Sequence, residues 1–208
     1  HIKKILLLDG GRRYLAKNNY IVSRLPYLIE LFPDAKIVIM VRNPIDHIAS
    51  LKRQQEIFSE KEKDNPKALY YMQQVCHFEF GLDFRPINLG HQTVTSEIKQ
   101  NVDEANDSAA WALYWNEIYS FLLELSDNDD VVRNQVKFVK YEDLTEFPQE
   151  GLRDIFQHCE IESDEKDIAN MSKKLEGKKG YSYMFSNTEK DKISEITSET
   201  AEKLGYSL

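Results

Sequence analysis

The chain has 208 residues, 41% hydrophobic and 30% charged, with a formal net charge of -8 at neutral pH. That length and composition suit one globular domain spanning 1–208 with a single core. The acidic balance argues against a general nucleic-acid or membrane-surface binder, while leaving room for a local basic pocket. Cys76 and Cys159 are far apart and form no metal or redox motif. Free thiols in a reducing compartment are therefore expected, and with no signal-peptide or membrane-spanning run the expected location is the cytoplasm.

The chain opens on "HIKKILLLDGG", an apolar segment halted by Gly10-Gly11 like the end of a helix. It starts with His1 in mid-element, so the natural N-terminus is expected to lie upstream. "RRYLAK" reads as a short strand ending at Lys17, and "NNYIVSRLPYLIELF" as a helix with Ile21, Leu25, Leu28, Ile29 and Phe32 on one face. "KIVIMV" is a continuous apolar run of strand length, the mark of a strand covered on both sides. "PIDHIASLKRQQEIF" is the next helix, followed by the solvated charge run "EKEKDN". Pro66 can start a helix that Gly81 stops. The polar stretch from Leu82 to Ser108 reads as a loop-rich, substrate-side insertion. "AAWALYWNEIYSFLLEL" is a strongly amphipathic helix whose aromatic stripe suits core packing. "DNDD" reads as a loop, "VKFVKY" as a strand, "EDL" as a turn and "GLRDIFQHCEI" as a helix. A charged tail with the glycine-basic patch "EGKKGYSYMFS" precedes a last helix ending at Gly205. Strands alternating with helices imply an α/β fold with a parallel sheet.

The segment from Arg42 to Ser50 carries the chemistry. Asn43 is a good N-cap, Pro44 suits the first helical position, and the Asp46 carboxylate can reach back to the cap. Arg42 therefore sits where a parallel strand opens into a helix, the usual ligand-binding end of such sheets. The helix N-terminus contributes positive potential and Arg42 a forked set of donors. Ser50 lies about 9 Å along the axis at ~1.5 Å per residue, its side chain tilted back toward the N-terminus. A phosphate monoester beside the first two turns would meet both groups. Spacing alone leaves a second reading open, in which Arg42 pairs with Asp46 and Ser50 faces water.

"FPDAKIVIMVRNPIDHIASL" resembles the 3'-phosphate-binding segment of sulfotransferases that use 3'-phosphoadenosine-5'-phosphosulfate, bacterial members most closely. The likeness extends through "YLAKNNYIVSRLPYLIELFPDA", "WALYWNEIYSFL" and "VKFVKYEDLTEFPQEGLRDIF". It implies a three-layer α/β/α fold of the P-loop nucleotide-transferase type with a central parallel sheet. It implies that Arg42 and Ser50 bind the donor's 3'-phosphate and that Tyr141 lies near adenine, although a core tyrosine at a strand end is equally compatible. Lys178, Lys179 and Gly180 match the late loop that closes over the nucleotide, with a spacing unlike the commonest one; a solvated basic turn is the competing reading. Lys17 matches a lysine near the transferring sulfuryl group, where its charge would stabilise developing negative charge.

Two departures stand out. Cytosolic relatives carry a catalytic histidine two residues after that lysine, where this chain has Asn19, which cannot act as a base. His47, His77 and Glu79 are possible bases, with a structural role the favoured reading for each. The family's phosphosulfate loop is not found in these residues, so the domain is expected to lack its N-terminal unit and, taken alone, to be inactive. The implied partners are the nucleotide sulfuryl donor and an acceptor hydroxyl or amine on a small molecule, glycan or peptide. No ligand cluster implies a metal. A nucleotide kinase-like phosphotransferase, separable by its magnesium dependence, and a non-catalytic nucleotide-binding module are the alternatives.

Overall fold

The computed structural model describes residues 1–175 and 184–208. Lys178, Lys179 and Gly180 lie outside the described residues.

Helix α1 (Ile2–Asp9) ends on Gly10 in the left-handed conformation, as the Gly-Gly signal implied. The expected strand over 12–17 does not form. That stretch is exposed throughout, with Leu15 93% accessible, so it has no buried face, and no strand among the described residues pairs with it. The helix expected over 18–32 divides into a 3-10 turn (Asn19–Arg24) and α2 (Leu25–Leu31), which buries Leu25 and Ile29. Strand β1 (Ile37–Val41) follows, then α3 (Pro44–Asp64).

Helix α3 runs on through the charge run expected to be solvated. Glu62 is only 3% exposed there and accepts the Leu82 N–H at 2.7 Å. Asn65 ends α3 and caps α4 (Pro66–Gln74), accepting the Lys67 N–H. Within the supposed loop-rich insertion, α5 (Gln92–Ala105) forms because Val94, Ile98 and Val102 repeat every fourth residue and face the core. Asn106, left-handed at φ 47°, stops it.

Helix α6 (Ser108–Asn128) is the centre of the core. Its buried Trp111, Ala112, Trp115, Tyr119 and Leu122 meet α3, α5 and the last helix, α11 (Asn187–Lys203). The supposed "DNDD" loop contains the cap of α7 (Asp130–Gln135), since the Asp129 carboxylate accepts from the Val131 and Val132 N–H groups. Strand β2 (Val136–Lys140) follows, then α8 (Tyr141–Glu146), α9 (Pro148–His158) and α10 (Glu165–Ser172).

The described residues thus form a mixed α/β fold, mostly helical, around two parallel strands in register from Ile37–Val136 to Val41–Lys140. A three-layer arrangement about a wider sheet goes beyond these two strands. Their pairing sets the site: carried one and two residues past the last pair, the register puts Arg42 beside Tyr141 and Asn43 beside Glu142.

Candidate functional site

The Asn43 side chain accepts the Ile45 N–H at 3.0 Å and opens α3 directly after β1. Arg42 leaves the strand end with its side chain 16% exposed. Its guanidinium stands 5.2 Å from the centre of the Tyr141 ring, and one terminal nitrogen lies 3.9 Å from Asp46. The pairing with Asp46 is real but long, at the limit of an ion pair. Arg42 Nε is buried with no hydrogen-bond partner. An unspent donor of this kind is costly unless a ligand or water takes it. Ser50 is half-buried, four residues beyond Asp46 and hence on the same helical face, and its hydroxyl has no hydrogen-bond partner among the described residues.

Glu142, read from sequence as part of a turn, joins the two strand ends. Oε1 accepts the Asn43 N–H at 3.0 Å, and Oε2 accepts the Tyr206 hydroxyl at 2.7 Å. Burial, then this hydrogen bond, raises the pKa of Tyr206. Lys140 adds a second tie to the C-terminal residues by donating to the Gly205 carbonyl at 2.6 Å. Glu142 could have been found by extending the parallel register beyond both strands; Tyr206 gives no signal in sequence.

His47 lies in the first turns of α3, with Nδ1 buried and unpartnered. Burial, and next the charge of Arg42, lowers its pKa to about 4, with Glu142 opposing. It is therefore neutral at pH 7.

The other candidate bases, His77 and Glu79, form a second cluster with Asn19. Lys17 is exposed and has no ion-pair or hydrogen-bond partner among the described residues. Two residues on, Asn19 Nδ2 donates to Glu79 Oε1 at 2.8 Å, and His77 Nε2 lies 3.9 Å from Glu79 Oε2. The structure thus brings Arg42 and Tyr141 together, sets Ser50 on the same helical face as Asp46, and leaves Lys17 exposed, two residues before Asn19.

A family model described as the sulfotransferase domain matches residues 21–204. The chain belongs to the sulfotransferase domain family. Membership indicates a transferase, and sulfotransferases generally take 3'-phosphoadenosine-5'-phosphosulfate as sulfuryl donor. The matched stretch of this sulfotransferase domain includes Arg42, Ser50, Tyr141 and Glu142 and begins after Lys17. No curated protein and no solved structure matches the chain. Among the described residues, no group of three or more His, Cys, Asp or Glu side chains could hold a metal, and no helix is long and apolar enough to cross a membrane.

Proposed function

We propose that the protein moves a sulfuryl group from 3'-phosphoadenosine-5'-phosphosulfate to a hydroxyl or amine acceptor, and that Arg42 and Ser50 hold the donor's 3'-phosphate. The observation that carries this reading is the buried, unpartnered Arg42 Nε at the opening of α3. An anion there gains the guanidinium donors, the positive end of a 21-residue helix and the unspent Ser50 hydroxyl. Tyr141, already facing the Arg42 guanidinium, suits adenine stacking. Lys179 and Gly180 are assigned to the loop closing over the nucleotide, and Lys17 to the charge that grows on the bridging oxygen as the sulfuryl group leaves. The two parallel strands are read as part of a wider central sheet in a three-layer α/β/α fold.

Calorimetric titration of the full-length protein tests the reading. Adenosine 3',5'-bisphosphate should bind more tightly than adenosine 5'-monophosphate; equal affinities would overturn the assignment of Arg42 and Ser50.

A further inference from the structure

Transfer to a hydroxyl needs a group that accepts its proton, and Asn19 cannot be that group. Resting on the sulfotransferase reading above, we propose that Glu79 is the proton acceptor for the attacking hydroxyl or amine, with Asn19 as its positioning residue.

Three observations converge on Glu79. The first is the state of its carboxylate. Oε1 is engaged by the Asn19 amide at 2.8 Å, whereas Oε2 has no hydrogen bond among the described residues, with His77 Nε2 at 3.9 Å. The side chain is 21% exposed, so the carboxylate is largely shielded but still reached by solvent. A carboxylate with one oxygen fixed and the other unspent is oriented to receive a proton.

The second is its relation to Lys17. Asn18, which separates Lys17 from Asn19, is extended, at φ -152° and ψ 119°. The Cα atoms of Lys17 and Asn19 are at most about 7 Å apart, given a reach of ~3.6 Å per residue. Since Asn19 touches Glu79, the backbone that carries the lysine assigned to the sulfuryl group passes close to this carboxylate.

The third is the rigidity of the Glu79 loop. The buried Gln55 of α3 donates to the Gly81 carbonyl at 3.0 Å and accepts the Gly81 N–H at 2.9 Å. Glu62, also on α3, takes the Leu82 N–H, and the Tyr20 hydroxyl accepts the Phe78 N–H at 2.7 Å. His77 stacks on Phe58 of α3 with ring centres 5.7 Å apart and planes 4° from parallel. The helix that opens at Arg42 therefore also fastens the loop bearing Glu79, and this supplies the preorganisation that proton transfer requires.

In the step itself the acceptor oxygen forms a bond to sulfur as the bond from sulfur to the bridging oxygen breaks. The bonding pair stays with the departing adenosine 3',5'-bisphosphate. The acceptor's proton passes to Glu79 Oε2 and later to solvent.

The test uses the full-length protein and the 35S-labelled donor, with water, a panel of phenols and a panel of alkanols as acceptors. Glu79→Gln should lower turnover by about 100-fold or more, in keeping with the loss of a positioned base. The loss should be smaller for acidic phenols, which shed the proton readily, than for alkanols. Affinity for adenosine 3',5'-bisphosphate should stay within about twofold, which also shows that the variant is folded, and Glu79→Asp should recover part of the rate. Turnover in Glu79→Gln within about threefold of wild type overturns Glu79 and leaves the donor site standing. A wild-type protein with no transfer to any of these acceptors overturns both Glu79 and the transfer reading, whereas failure to prefer bisphosphate over monophosphate overturns the donor site alone.

Discussion

A neutral imidazole beside a guanidinium makes the opening of α3 sensitive to acid. The pKa of His47 is held at about 4 by burial and by Arg42, below the value near 6.5 that an unfolded chain offers. The unfolded state therefore binds a proton first as pH falls. The stability tied to neutral His47 is fully present above about pH 6.5, is lost as pH drops toward 4, and levels off below that. Between pH 7.5 and 4.5 the loss should be on the order of 2 kcal/mol. Urea melts of wild type and His47→Gln across that range should show the variant losing less, which cancels the carboxylate contributions common to both; parallel curves would mean that His47 titrates normally. Lys17 poses a kinetic question instead. An ammonium that meets charge only as the sulfuryl group departs acts on the transition state more than on bound donor. Lys17→Ala in the full-length protein should lower turnover by about 100-fold or more while bisphosphate affinity holds. Unchanged turnover, or a loss confined to nucleotide binding, would remove Lys17 from the catalytic set.

Element by element, the helices opened by clear caps and the two apolar strands could be read from sequence, because local chemistry decides them. Asn43-Pro44 and Pro66 announce the starts of α3 and α4, although α4 stops at Gln74 rather than running on to Gly81, and the runs "KIVIMV" and "VKFVKY" contain β1 and β2. What sequence missed depends on neighbours. The stretch 12–17 has the residues of a strand and no partner to pair with among the described residues, whereas α5 has a polar composition and is fixed by an apolar stripe against α6. Glu62 looked solvated because nothing local reveals that the Leu82 N–H and Gly81 come to meet it. Gly81 is a sharp test of that clamp. Its φ of 95° suits glycine, and a Cβ there would press on the Glu62 carboxylate. Gly81→Ala should cost about 2 kcal/mol or more, from backbone strain and the displaced carboxylate together. Calorimetric Tm should fall by roughly 4–8 °C for a chain of this size. An unchanged Tm would show that the loop is not clamped to α3.

Across the whole molecule, one helix organises both proposed sites. Arg42, just before α3, and Asp46 and Ser50 in its first turns line one end, and its later turns hold the Glu79 loop through Gln55 and Glu62. The Arg42–Ser50 spacing was visible in sequence because it lies within one strand–helix junction. The Glu142–Tyr206 link and the Asn19–Glu79 pair span 64 and 60 residues of chain, and only the fold brings them together. The central claim is that Arg42 reads the 3'-phosphate, and a four-way calorimetric comparison tests it most directly: wild type and Arg42→Ala, each with adenosine 3',5'-bisphosphate and with adenosine 5'-monophosphate. Truncating one side of a buried charge pair should weaken the bisphosphate by roughly 2–5 kcal/mol. The monophosphate, which lacks the group Arg42 contacts, should lose less than about 1 kcal/mol, so that the variant no longer distinguishes the two ligands. Equal losses on both ligands, or a preference for bisphosphate that survives in Arg42→Ala, would contradict it.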